Sequence, residues 1–140
     1  MRMYTKDVRP GDNVRISGWV SIIRDLGKIK FFLLRDREGI IQVTAKRGST
    51  PPSILKQIDS IGREDIVSVE GMAIKSSQAP GGREIIPKNI TLVSKSSSPL
   101  PIDFGEKIET SLDKRLDWRV LDLRSPKNMA IFKIQSSLVK

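Results

Sequence analysis

The stretch IKFFLLRDREGIIQV, residues 29–43, constrains the fold more than any other part of the chain. Two apolar-rich runs flank a DREG turn at Asp36–Gly39, which reads as a β-hairpin. Neighbours on a pleated strand point to opposite faces, so Phe31 and Phe32 cannot share one core. If Phe32 and Leu34 point inward, then Phe31, Leu33 and Arg35 point outward. On the next strand Ile41 and Val43 inward leave Ile40, Gln42 and Thr44 outward. A turn centred on Arg37 and Glu38 sets Leu33 opposite Gln42 and makes Phe31 its diagonal neighbour, about 7–8 Å away. The outer face then carries an aromatic plane and an amide among cations. From Arg24 to Arg47 there are seven Lys or Arg and three acidic residues.

The rest of the chain extends this pattern. In DNVRISGWVSII, Asp12 to Ile23, residues Val14, Ile16, Val20 and Ile22 recur with period two and mark a long first strand. Gly18 interrupts that face, which points to a bend or bulge. PPSILKQIDSIG reads as a short helix, with Ser53 as a candidate cap and Ile54, Leu55, Ile58 and Ile61 on its apolar face. DIVSVEGMAIKSS and EIIPKNITLVS supply a fourth and fifth strand. Pro87 places an edge or a bulge in the fifth. Five short strands with a helix between the third and fourth predict an all-β fold with one short helix, a five-stranded OB-fold barrel over residues 1–94. Such barrels bind oligonucleotides on the face around strands two and three.

After Val93 the pattern changes. SKSSSPLPIDFG is rich in Ser and Pro and reads as a linker, so residues 95–125 are expected to form a linker and a helical hinge. Residues 126–140 open another helix, with Ser125 at the N-cap and Pro126 in the first turn. Met129, Ile131, Phe132, Ile134 and Leu138 make an apolar face on this helix with nothing evident to cover it. It is expected to be the first helix of a catalytic domain outside the chain.

Composition narrows the chemistry. The 140 residues contain no Cys and no His. That excludes disulfides, cysteine metal sites and triads built on histidine. No run is long and apolar enough to span a membrane, and no signal-peptide pattern opens the chain, so a cytoplasmic protein is expected. The net charge of +9 points toward polyanions. Each side chain on the outer hairpin face suits single-stranded RNA. Phe31 can stack on an unpaired base. Gln42 offers both a donor and an acceptor to a base such as uracil. Arg24, Lys28 and Lys30 can hold phosphates or a base carbonyl.

The motifs also carry a family resemblance. GWV at 18–20, RDLG at 24–27, a following Phe, and RDREGIIQV at 35–43 together resemble the N-terminal anticodon-binding domain of aspartyl-tRNA synthetases. EIIP, SPLPID and LDWRVLDLRSP followed by AIFKIQSSLVK resemble the hinge and first catalytic helix of the archaeal and eukaryotic-type enzymes. The resemblance implies an OB-fold that grips the anticodon loop of tRNA(Asp), whose bases are G, U and C. By motif position Phe31 would stack on the middle base, Gln42 would bond that uracil, Arg24 would lie beside them, and Glu84 would be an acidic anticodon contact. Some family members also accept tRNA(Asn); the segments near Ser21 and Pro80 are where that tolerance is expected to be set. The family charges tRNA with aspartate using ATP and magnesium as a homodimer. Its class II catalytic residues have no counterpart here, so this chain is expected to have no catalytic residue, cofactor or metal of its own.

Other readings are a general single-strand-binding OB protein, the matching domain of an asparaginyl- or lysyl-tRNA synthetase, and a protein-interaction module using the last helix. General single-strand binders usually carry several stacking aromatics, and this chain is 5% aromatic. RDREGIIQV favours the aspartate enzymes.

Overall fold

The computed structural model describes residues 3–97, 99–103 and 110–139. Ser98 and residues 104–109 of the expected linker, and Lys140 at the end of the expected last helix, lie outside the described residues. The chain divides into two compact units, one through Ser96 and one from Ser97 onward.

The first unit is a closed barrel. Its strands are β1 (Asn13–Asp25), β2 (Ile29–Arg35), β3 (Ile40–Lys46), β4 (Ile66–Lys75) and β5 (Arg83–Ser94), with helix α1 (Pro52–Ser60) between β3 and β4. Around the barrel the order is β1-β2-β3-β5-β4, closed by β4 against β1. Every pairing is antiparallel except β3 with β5. This is the five-stranded OB arrangement that the strand order predicts.

The inner faces follow the period-two pattern. Ile16, Val20, Phe32, Leu34, Ile41, Val43, Val67, Val69 and Ile85 are fully buried, and α1 adds Ile54 and Ile58 to the same core. Leu33 lies opposite Gln42, the register expected from the hairpin turn. Asp36 holds that turn. Its Oδ1 accepts from the backbone N–H of Glu38 at 2.8 Å and of Gly39 at 2.9 Å. Both its oxygens also accept from Thr5, from the hydroxyl and the backbone N–H, each at 2.7 Å. Gly18 marks the place where β1 changes partner from β4 to β2. A Cβ there would sit 2.2 Å from the Arg35 carbonyl oxygen, so only glycine permits the approach. Pro87 falls at a bulge, opposite Gly71, where the β4–β5 register shifts.

Two expectations about these elements change. Ser53 does not cap α1: the helix begins at Pro52, with Pro51 at the N-cap and no side-chain cap bond. A proline in the first turn is already set for the helix and has no N–H to satisfy. Ile22 does not join Val14, Ile16 and Val20 in the core; it is 43% exposed. A bulge at Ser21 shifts the β1–β2 register between Val20 and Ile22 and turns Ile22 onto the outer face.

The second unit contains the short helices α2 (Leu112–Asp117) and α3 (Arg119–Asp122) and the longer α4 (Pro126–Leu138). Arg115 Nε donates to Asp122 Oδ1 at 2.8 Å, and Asn128 Nδ2 donates to the Asp122 carbonyl at 3.2 Å, tying α2, α3 and α4 together. Ser125 stands at the N-cap position of α4 and Pro126 opens the helix, as expected, but the serine makes no side-chain cap bond. The apolar side chains of α4 do not form the single face expected of them. At about 100° per residue, Ile131, Ile134 and Leu138 fall on one side while Met129 and Phe132 fall on the other. All five are exposed.

Candidate nucleic-acid interface

The outer face of the barrel is built row by row from the strand registers. Ile22 on β1 lies opposite Leu33 on β2, Leu33 opposite Gln42 on β3, and Gln42 beside Glu84 on β5. In the next row Arg24 lies opposite Phe31, and Phe31 opposite Thr44. Directly paired residues on one face have Cβ atoms about 4.5–5.5 Å apart. Arg24, Phe31, Gln42 and Glu84 are therefore brought together from four strands. Phe31 is half-buried, flanked by an exposed cation on one side and a buried hydroxyl on the other.

Arg24 reaches this face only because of the Ser21 bulge. Continued from Val20, the period-two pattern would turn it inward. The bulge is held from the segment that leads into the neighbouring β4: the Val20 N–H donates to the Asp65 carbonyl at 2.9 Å, and the Val20 carbonyl accepts from the Glu64 N–H at 2.7 Å. Glu64 has φ of +65°, unusual for a residue with a side chain. Its buried carboxylate is held by Arg35 Nη2, 3.0 Å from each oxygen.

Gln42, Thr44 and Glu84 form a linked polar group. Gln42 Nε2 donates to Thr44 Oγ1 at 3.0 Å and to Glu84 Oε2 at 3.1 Å, and Thr44 Oγ1 donates to the same Glu84 oxygen at 2.7 Å. Thr44 and Glu84 are both buried, while Gln42 is half-buried.

Lys30 is elsewhere. It was expected beside Arg24 and Lys28 as an RNA contact, but it faces inward and is 6% exposed. Alternation from Phe32 and Leu34 requires this. Its ammonium binds Asp59 on α1 and lies 3.2 Å from Asp25 at the end of β1. The Asp59 hydrogen bond holds the Lys30 ammonium above the usual lysine range. The Gly27 backbone N–H, then Lys30, hold the Asp25 carboxyl below its ordinary value. Lys30 thus fastens the β1–β2 hairpin to α1 and does not lie on the outer face.

Lys28 is exposed in the β1–β2 turn, and its carbonyl accepts from the Arg47 N–H at 2.9 Å. Lys46 continues the outer row beyond Thr44, opposite Ile29. Arg24, Lys28, Lys46 and Arg47 are all exposed and make no ion pair among the described residues. Arg35 and Arg37, by contrast, are paired with Glu64 and Glu38. Lys46, Arg47 and Thr44 were not named as site residues from sequence. Thr44 was legible, being two residues after Gln42 on the same strand face. Ser21 lies in the β1 bulge, and Pro80 opens the 3-10 turn Pro80–Gly82, which packs against β3.

A closed OB barrel presenting an aromatic, an amide and unpaired cations on the β1–β2–β3 face defines a nucleic-acid-binding module. Residues 14–93 match the family model of the OB-fold nucleic acid binding domain of tRNA anticodon type, and the chain belongs to that family. Among its curated relatives is the aspartate–tRNA(Asp/Asn) ligase of Archaeoglobus fulgidus, 43% identical, with 100% of this chain and 33% of the relative covered. The aspartate–tRNA(Asp) ligase of Pyrococcus abyssi is 46% identical, with 93% of this chain and 30% of the relative covered. The chain thus spans about a third of the length of the curated relatives it matches. Among solved structures, asparaginyl-tRNA synthetase from Pyrococcus horikoshii with asparaginyl-adenylate superposes with a TM-score of 0.88 at 31% identity. That match covers 99% of this chain and 32% of the other.

Proposed function

We propose that this chain is the tRNA-reading part of an aspartate–tRNA ligase and grips the anticodon loop of tRNA(Asp). Phe31 stacks on the middle anticodon base and Gln42 hydrogen-bonds it as uracil. Arg24 and Lys28 hold flanking phosphates or a base carbonyl, and Glu84 faces a neighbouring base through Oε1. The observation that carries this reading is the convergence of Arg24, Phe31 and Gln42 from three strands onto one outer face. The sequence relatives that support the aspartate assignment are 43% and 46% identical. Acceptance of tRNA(Asn) as well is in keeping with the dual-specificity name of the Archaeoglobus relative.

Aspartylation would be carried out in the cytoplasm by a class II catalytic domain, working as a homodimer with ATP and magnesium. This chain spans about a third of those ligases, and its share would be recognition. The exposed apolar side chains on the two sides of α4 would be covered by that catalytic domain.

The test is titration of the 140-residue chain with an anticodon stem-loop bearing G, U and C, and with one bearing a purine in the middle position. A preference of about tenfold or more for the uracil loop is expected, the value of one well-made hydrogen bond plus fit. Equal affinity for both loops would refute the recognition reading.

A further inference from the structure

A glutamine can read a base in either of two ways. With its oxygen outward it accepts a hydrogen bond, and with its nitrogen outward it donates one. A freely turning amide therefore does not distinguish uracil, whose N3 carries a proton, from cytosine, whose N3 accepts one.

The geometry points to Thr44 and Glu84 as a clamp that fixes the Gln42 amide with its oxygen outward, so that Gln42 accepts from the N3–H of uracil and offers no donor to the N3 lone pair of cytosine. This rests on the recognition reading given above. Gln42 Nε2 is turned inward and donates to both Thr44 Oγ1 and Glu84 Oε2. An ionised carboxylate accepts and never donates, so Glu84 cannot hold the amide the other way round. Thr44 has a single proton and gives it to Glu84, so its oxygen can only accept from Gln42. The two partners thus enforce the same orientation. Each is at least nine-tenths buried, Thr44 at 3% and Glu84 at 7% exposure, and burial strengthens the bonds that set it.

The clamp also has a structural reason to exist where it does. Gln42 and Thr44 are two apart on β3 and so share a face, and β5 runs parallel alongside with Glu84 in register with Gln42. The β3–β5 pairing is the only parallel one in the barrel among the described residues, and it is short, covering Gln42–Glu84 and Val43–Ile85. The side-chain bonds across it tie the reading amide to β5. Thr44 and Glu84 are positioning residues here. Turning the amide over would set its oxygen against the Glu84 carboxylate and leave a buried acceptor without a donor.

Two measurements on the full 140-residue chain test this, one without RNA. The first is exchange of the Gln42 side-chain amide protons, followed by NMR. Exchange slowed about tenfold or more relative to an exposed glutamine is expected for the inward-bonded amide, with the protection weakened in a Thr44→Val, Glu84→Gln double variant, which loses the hydroxyl acceptor and lets the amide turn over. Unprotected Gln42 protons in the wild type overturn the clamp whatever the RNA does. The second is the affinity ratio for anticodon stem-loops with U or C in the middle. The double variant, in which residue 84 can donate as well as accept, should lower the wild-type ratio about tenfold, chiefly by tighter binding of the cytosine loop. Thr44→Ser, which keeps the hydroxyl, should retain the ratio. A folded double variant with the wild-type ratio overturns the clamp while leaving base recognition intact. A wild type that protects the amide yet binds both loops equally overturns the recognition reading instead, and the clamp's use in it.

Discussion

Truncating the two adjacent phenylalanines one at a time separates fold from recognition. Phe32 is fully buried, with Val43 opposite it on β3 and Ile23 on β1. Phe32→Ala removes a core aromatic, and such changes destabilise by about 3–5 kcal/mol. That is a large share of the ~5–15 kcal/mol that holds a domain folded. For a barrel of this size it lowers the melting temperature on the order of 20 °C. Phe31 is half-buried on the outer face, so its truncation forfeits about half the usual burial term, roughly 1 kcal/mol. Its larger effect is on RNA: loss of one stacked base weakens binding by about 1–3 kcal/mol, or roughly 5- to 150-fold. Thermal melts followed by circular dichroism and anisotropy titrations with the GUC anticodon stem-loop give the two readouts on the same preparations. If Phe31→Ala unfolds the barrel while Phe32→Ala spares it, or if Phe31→Ala binds RNA as tightly as the wild type, the face assignment is wrong.

Three further outcomes follow from the charges. Stem-loop affinity should fall with salt on a log–log plot at roughly −0.7 per phosphate contact, so Arg24, Lys28, Lys46 and Arg47 together predict a slope near −2 to −3; a flat plot contradicts their role. Asp25, Glu38 and Asp65 all titrate below their ordinary values of 3.8, 4.5 and 3.8 in the folded chain. Burial pushes Asp65 up, but hydrogen bonds from Ser96 and Gly62 outweigh it. Lowered folded-state values mean stability that is present above the unfolded pKa and lost as pH falls through the folded one. Urea melts should therefore weaken steadily below about pH 4.5, and stability unchanged down to pH 2 would count against these contacts. Glu64→Ala leaves Arg35 without its buried partner and keeps a strained backbone, so a loss of about 3–5 kcal/mol is expected in denaturant melts; a neutral result would show that the 62–65 turn does not hold β1.

What could be read from the residues was governed by alternation, and the errors came where another consideration was allowed to outrank it. Phe31, Leu33 and Gln42 were correctly placed outward because β2 and β3 are regular and their turn is short. Lys30 sits on the same strand two residues before Phe32, so its inward position was equally legible. Its charge suggested RNA, whereas Asp25 and Asp59 supply the compensation that lets a lysine be buried there. Ser53 was a reasonable cap by residue type, but the two prolines before it fix the helix start earlier.

Arg24 is the instructive exception, since strict alternation would have placed it wrongly. In β1 the apolar period runs through Val14, Ile16, Val20 and Ile22, and Arg24 continues it. Nothing local in SIIRD announces a break. The break is imposed from Glu64 and Asp65, some forty residues on, whose backbone takes both hydrogen-bonding groups of Val20 and leaves the strand one residue too long for β2. The extra residue, Ser21, is absorbed as a bulge, and Ile22 and Arg24 change faces. Bulges re-aim side chains next to binding sites. Here one bulge carries a cation from the core side of the barrel to a position directly across from Phe31. A contact of that kind depends on tertiary pairing, so it is absent from any window of sequence short enough to show periodicity. The motif GWVSIIRDLG carries the position of Arg24 only through its family resemblance.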